Sequence, residues 1–385
     1  MGLSRTVALW LTPVPRSTLL LALHSALLSA LLSTLLSGCL FVDVSSLLDA
    51  DTPRERAVVS DGWLAMGTFF EADLRVAPGD ESRARAWLEW ARTEIARLEA
   101  IYSRHDSTSE LSQLNRLLLE PDVLSRELQV SLELERSLFY AIEVWEGTGG
   151  AFDPTIGPLL SVWRNAVEEE TWPSLRQLRA AKRRVGSQSL LMPGDGVLSV
   201  TTRDLKIDLD GLSKGIVLER LQSRFAERFP EAAALISFGE SSVLALGDPD
   251  GRRSGGGWKL EVHSRGPDPI RLATIRLRDH ALSVSSSLGR VAVIDGQRVS
   301  HVVDPRTGVA VEGAVEAVVV SARAGVADGW STALLVLGAQ RESMRLIERG
   351  ELEAYVLEQG GRVASTEGWE TLELPVSETG AEVEY

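Results

Sequence analysis

The sequence predicts an α+β protein, with a mixed, largely antiparallel sheet core and flanking helices. Two observations lead there. Segments of helical period and short strand-like runs are interspersed along the chain, yet they never settle into regular strand–helix–strand alternation. The 385 residues also carry 44% hydrophobic side chains, enough to build a sizeable core in one large domain or two smaller ones.

Residues 1–38 stand apart. Arg5 and Arg16 precede an apolar run from Leu19 to Leu36, broken only by small polar residues and His24, and Leu36-Ser37-Gly38-Cys39 follows. A basic start, an apolar stretch and small residues before a cut site make a secretory signal. Ending on cysteine, it resembles the bacterial lipobox, which implies that Cys39 is lipidated and becomes the mature N-terminus. Cys39 is the sole cysteine, so the chain forms no internal disulfide. The alternative is an uncleaved anchor, since the run is nearly long enough to span a bilayer. Either reading places the remainder in the bacterial cell envelope, attached to membrane and facing the periplasm or exterior. Residues 39–56 lack periodicity and read as a tether, leaving 57–385 as the folded domain.

The elements follow in order. Residues 63–76 have β-type content and include Met66-Gly67-Thr68. Asp80 reads as the cap of a helix to about Tyr102, with Trp87, Trp90, Ile95, Leu98 and Ile101 on one face as a core stripe. A second helix over 125–145 ends at Gly147, where a Gly- and Pro-rich loop begins. Residues 173–185, with Lys182, Arg183 and Arg184, read as a solvated basic helix. Residues 205–209 alternate like a short strand and lead through Asp210-Gly211 into a helix from Leu212 to about Phe229. Strand-like runs follow at 233–238, 243–247, 258–263, 270–277, 290–294 and 314–320. Gly255-Gly256-Gly257 reads as a hairpin tip, and a last helix begins near Ala324.

Net charge is −14, spread over many short stretches, which argues against a nucleic-acid partner. A phosphate-bearing ligand therefore needs local compensation by a cation, a lysine or backbone N–H groups. Four segments put small residues beside charged ones: 148–158, 208–215, 300–308 and 327–333. Lys214, at a helix start, suits an anion, though the segment taken alone reads rather as placing an exposed helix residue there. Asp328 and Thr332 are four apart on one helical face and offer hard oxygen donors for Mg²⁺; the alternative is a helix cap and a packing residue. His301 precedes a turn-forming Asp304-Pro305-Arg306-Thr307-Gly308 run, and a histidine titrates near neutrality.

Taken together, the segments resemble the ApbE-type flavin transferases, the FAD:protein FMN transferases, from about Trp63 to Gly338. The matching stretches are Met66-Gly67-Thr68, Ser109-Glu110-Leu111-Ser112-Gln113-Leu114-Asn115, the 148–158 run containing Gly150-Ala151-Phe152-Asp153-Pro154, Asp208-Leu209-Asp210-Gly211-Leu212-Ser213-Lys214-Gly215, Ser300 through Gly308, and Ala327-Asp328-Gly329-Trp330-Ser331-Thr332-Ala333. The resemblance implies that Met66, Ala151, Phe152, Asp153, Asp208 and Lys214 contact FAD. It implies that the Gly211 carbonyl, Asp328 and Thr332 hold Mg²⁺, and that His301 is the base for transfer of FMN to a Ser/Thr hydroxyl of an acceptor flavoprotein, with AMP released. Water in place of the acceptor would make the chain a FAD pyrophosphatase, and loss of catalysis would leave a silent flavin-binding lipoprotein. A flavin oxidoreductase is disfavoured, because no Gly-x-Gly-x-x-Gly opens a helix after a strand.

Three stretches depart from the family pattern. His105 stands where a tyrosine is frequent, residues 237–242 replace an Asn-Ala-Gly-Gly-Asp segment, and Ser283-Val284-Ser285-Ser286 replaces Ala-Thr-Ser-Gly. These changes are expected to touch the flavin or adenosine pocket more than the metal centre.

Overall fold

Strands β1 (Ala57–Ala65) and β2 (Thr68–Val76) form a hairpin turning on Met66-Gly67, whose φ angles of 48° and 71° are both left-handed. That turn matches the natural twist of a two-residue hairpin, and glycine supplies its second position without strain. The computed structural model describes residues 55–375, apart from 240, 253–255, 266–268 and 289–290. The signal segment, Cys39 and nearly all of the tether lie outside the described residues.

Helix α1 (Glu81–Tyr102) buries Trp87, Ile95 and Leu98, with Trp90 and Ile101 packed at the edge of the core. Asp80 occupies its N-cap position but its carboxylate pairs with Arg83 at 2.6 Å instead of capping. A short α2 (Glu110–Leu117) follows, capped by Ser109. The expected 125–145 helix is two elements: β3 (Leu128–Gln129), then α3 (Leu132–Gly147), which starts late because the Ser131 hydroxyl caps it by accepting from Leu134 N–H. Next come α4 (Gly157–Glu168), α5 (Leu175–Lys182) with a Ser174/Gln177 capping box, and the hairpin β4 (Leu190–Gly194) and β5 (Val197–Val200), which with β3 makes a small sheet.

Residues 205–209 are extended but belong to no sheet. Their hydrogen bonds go to the Asn115 side chain and the Pro154 carbonyl, so they lead into α6 (Ser213–Arg228) as a strapped segment.

The remaining strands are β6 (Ala233–Phe238), β7 (Ser242–Leu246), β8 (Trp258–His263), β9 (Arg271–Leu277), β10 (His280–Ser286), β11 (Val291–Ile294), β12 (Gln297–Ser300) and β13 (Ala314–Ser321). Helix α7 (Ala324–Leu337) is not the last: α8 (Arg341–Arg349), β14 (Glu353–Glu358), β15 (Val363–Ser365) and the single turn α9 (Trp369–Leu372) follow. Gly256-Gly257 leads into β8, which pairs antiparallel with β9; Gly255, the first residue of the expected hairpin tip, lies outside the described residues.

The main sheet runs β1-β2-β6-β7-β10-β13-β14-β15 with every neighbouring pair antiparallel. It is the middle of three layers. Ala317 and Val319 of β13 face a core shared with Leu98, Leu138, Leu218 and Leu334 of the helices. Val318 and Val320, on the opposite face, pack with Trp258, Ile275 and Leu277 of β8–β9 and with Trp369. A third cluster joins α4 and α5 to the β11–β12 hairpin through Leu159, Trp163, Leu178, Ile294 and Val299.

Candidate active site

A cleft of about 870 Å³ opens over the helix-covered side of the sheet, and five separate segments converge on it. Met66 reaches it from the β1–β2 turn, and Ala151, Phe152 and Asp153 from the loop after α3. Asp208, Gly211 and Lys214 come from the approach to α6, His301 from the end of β12, and Asp328 and Thr332 from α7. All ten residues assigned from the sequence to flavin, metal or base line this one cleft. A methyl group placed on Gly211 would lie 3.1 Å from Thr332 Oγ1 and 3.4 Å from Phe152 Cε2, so those three meet directly.

Asp328 is almost fully buried, and its carboxylate is fixed at both ends. Oδ2 accepts from the Gly215 N–H at 3.0 Å, at the start of α6. Oδ1 accepts from the hydroxyls of Ser283 at 3.0 Å and Ser242 at 3.3 Å. Asp328 thus does cap a helix, but α6 instead of its own, because α7 crosses α6 closely. The crossing needs glycine: a Cβ on Gly215 would stand 2.4 Å from the Ala324 carbonyl oxygen and 2.6 Å from Gly325 Cα. Ser285 sits 2.8 Å from Ser331 Oγ and 3.3 Å from Thr332 Oγ1.

The fit of this corner to a divalent cation follows from its donors. A buried carboxylate whose hydrogen-bond partners are all neutral stands beside a threonine hydroxyl and the Gly211 backbone. Among the described residues no group of three His, Cys, Asp or Glu could hold a metal alone. One carboxylate with hard neutral oxygens suits Mg²⁺, which completes its shell with water and substrate phosphates. The residues present therefore fit the ion.

Asp208 enters from the strapped segment with its side chain 9% exposed. Burial, then the nearby Asp210 charge, pushes its carboxyl up to about 6, while Arg104, 3.1 Å away, opposes the rise. Arg104 also pairs with Asp210, and His105 Nε2 lies 3.8 Å from the same Asp210 oxygen. Lys214 Nζ donates to Ser241 Oγ at 2.8 Å, a neutral partner that leaves its charge for the cleft. With Arg104, Arg164 and Arg265 also lining the cleft, an acidic chain gathers four cations there.

Local turns aim the other residues. Thr155 N–H, Thr155 Oγ1 and Ser187 Oγ all donate to Asp153 Oδ1, which folds the 151–155 loop and presents Phe152. Beyond His301, Asp304 accepts from Arg306 N–H and its guanidinium, making the Asp-Pro-Arg-Thr-Gly run the turn its composition predicts. His301 itself is exposed at the cleft.

A family profile, described as the ApbE family, matches residues 66–356, most of the chain. The chain belongs to the ApbE family. Among ApbE relatives, the FAD:protein FMN transferase of Klebsiella pneumoniae (strain 342) is 28% identical over 331 residues, covering 84% of this chain and 89% of the relative. The FAD:protein FMN transferase of Treponema pallidum is 27% identical over 303 residues, covering 74% and 81%. The ApbE protein of Thermotoga maritima superposes with a TM-score of 0.72 at 23% identity, over 83% of this chain and all of that one. The flavinyl transferase ApbE of Pseudomonas stutzeri gives 0.70 at 21% identity, over 86% and 99%. The α+β expectation is met.

Within the stretches that depart from the ApbE pattern, the serines at 242, 283 and 285 surround Asp328 and Thr332. The reason is topological, since β7 and β10 are neighbours in the sheet and α7 packs on them. Sequence reasoning also missed Arg104 and the Asn115 strap. The signal that could have found the serines is their type: small polar residues in a central strand have to be satisfied from inside the fold.

Proposed function

We propose that the protein transfers FMN from FAD to a Ser or Thr hydroxyl of an acceptor flavoprotein, with Mg²⁺ as cofactor and AMP as leaving group. The convergence of five segments on one cleft, with an anion-compensating lysine and a buried carboxylate that fits a divalent ion, carries this reading. The family's named FAD:protein FMN transferases support it.

In this reading Met66, Ala151, Phe152 and Asp153 form the flavin-side wall, and Asp208 accepts a hydrogen bond from FAD. Lys214 offsets charge on the pyrophosphate. Gly211 O, Asp328 and Thr332 hold Mg²⁺, which when bound stabilises the charge that develops on the phosphate oxygens. His301 takes the proton from the acceptor hydroxyl as its oxygen attacks the FMN phosphorus. The bond from that phosphorus to the AMP oxygen breaks, and AMP leaves with the electron pair. His301's exposure suits an acceptor that is itself a protein. Cys39 carries the lipid, which places the enzyme in the bacterial cell envelope.

The test uses the full chain in detergent with FAD, a peptide bearing a flavinylation-type Ser/Thr site, and Mg²⁺ or chelator. Mg²⁺-dependent AMP together with flavinylated peptide, both lost in His301→Ala and Asp328→Ala, is the expected result. AMP with free FMN alone makes the protein a pyrophosphatase, and bound FAD without AMP under any condition overturns the enzymatic reading.

A further inference from the structure

Ser242 on β7 and Ser283 on β10 are direct cross-strand partners in the antiparallel register. Both are almost fully buried, both project toward α7, and both donate to the same oxygen of the same carboxylate, Asp328 Oδ1. The other oxygen is held by the Gly215 N–H. A carboxylate gripped at each end cannot rotate about its terminal torsion, so its remaining lone pairs keep one direction. Ser331 Oγ also donates to Ser283 Oγ at 3.3 Å, and its contact with Ser285 extends the hydroxyl chain to Thr332.

We propose that Ser242 and Ser283 are positioning residues: paired across β7 and β10, they fix the Asp328 carboxylate in the orientation that binds the divalent cation. The inference rests on the reading of Asp328 as a metal ligand. Ser242 and Ser283 lie in two of the three stretches read from the sequence as departures from the family pattern. Ser283 Oγ also lies 3.1 Å from the Ser241 carbonyl oxygen, a neutral acceptor that competes with the charged carboxylate for its one proton. Two neutral donors orient a carboxylate without cancelling its charge. Groups that orient a metal ligand in this way commonly change metal affinity by about 10- to 100-fold when removed.

The experiment is an electron paramagnetic resonance titration with Mn²⁺ of the full-length protein in detergent. FAD is present and the parent carries His301→Ala, so that the flavin is not consumed. Ser283→Ala is expected to weaken Mn²⁺ binding about tenfold, and Ser242→Ala/Ser283→Ala further, with flavin fluorescence in the presence of chelator reporting unchanged FAD binding. Ser283→Thr, which keeps the hydroxyl, restores most of the affinity. Asp328→Ala serves as the reference for a lost ligand. If the double variant binds Mn²⁺ like its parent while Asp328→Ala does not, the clasp is wrong and the metal reading stands. If Asp328→Ala itself binds like the parent, the metal reading fails and takes the clasp with it. Equal loss of metal-free FAD binding in the alanine variants would make the serines general structural residues and overturn the proposal.

Discussion

Asn115 grips Ile207 by both of that residue's backbone groups: its Nδ2 donates to the Ile207 carbonyl at 2.8 Å, and the Ile207 N–H donates to its Oδ1 at 2.7 Å. A side-chain amide thereby does the work of a neighbouring strand, 92 residues away in sequence. Leucine at this position would leave two buried backbone groups unsatisfied. At about 1–3 kcal/mol for each orphaned group, Asn115→Leu should lower the unfolding free energy by roughly 3 kcal/mol, read from chemical denaturation. Because the same strap carries Asp208, FAD affinity should fall with it. An unchanged denaturation midpoint would show that the strap is held by other means.

Asp208 sets a pH dependence. Its folded pKa of about 6 exceeds the ordinary 3.8, so the folded state binds this proton more tightly than the unfolded chain. The group's contribution to stability is complete below pH 3.8 and is lost as pH rises through about 6. In the proposed reading binding runs the other way: the carboxylate accepts a hydrogen bond from FAD more strongly than the protonated acid does, so affinity should drop as pH falls through about 6. Arg104→Ala removes the cation that opposes the rise, so the inflection in a flavin-fluorescence titration should move to higher pH. A shift downward would contradict the assignment.

Gly215→Ala should be among the most damaging small substitutions. Its Cβ would meet backbone atoms of Ala324 and Gly325, which cannot swing aside like a side chain. Overpacking of this kind costs about 3 kcal/mol, and separating α6 from α7 also removes the N–H that holds Asp328. Thermal unfolding and metal binding should therefore worsen together, and a variant with lowered stability but intact metal affinity would break the link.

Glu94 ties α1 to α6. Arg97 makes two hydrogen bonds to it at 2.8 Å, and Arg220 adds one at 2.9 Å. Its carboxyl is held at about 2 by the hydrogen bond from Arg97, and then by that from Arg220, against the opposing effect of burial. The resulting stability is present above the ordinary 4.5 and is lost as pH falls through about 2. Both arginines are about half exposed, so Glu94→Gln should cost only about 1–2 kcal/mol at pH 7. The gap between variant and parent should close toward pH 2, and a gap that persists there would mean that packing, not charge, is lost.

Elements with a repeating pattern could be read from the sequence. The stripe of α1 announces itself by repeating its period over several turns, and β13 by a short valine-rich, mostly apolar run buried on both faces. The 205–209 segment alternates just as well, but its partner is a side chain, and no local pattern reveals that. Helix α4 was hidden because it opens on Gly157-Pro158, residues that read as a loop yet suit a first helical turn. Strand β10 was hidden for a different reason. Its His-Ala-Leu-Ser-Val-Ser-Ser run lacks the apolar content of a central strand, because part of its buried surface serves Asp328 and Thr332. That ten motif residues would gather in one cleft was legible through the family motifs, whereas Arg104 and the serine pair depended on which elements lie side by side.

The match to the ApbE family ends at residue 356, but the apolar layer on the far face of the sheet does not. Trp369 is 1% exposed beneath the β8–β9 hairpin, and the Leu374 N–H donates to the Thr274 carbonyl at 2.8 Å. A recombinant fragment cut at the family boundary would lose this plug and bare Trp258, Ile275 and Val320 to water, a surface that invites aggregation. For anyone preparing a minimal version of the enzyme, the smallest well-behaved unit is therefore set by where the second core is sealed, some way beyond residue 356, where the family profile stops.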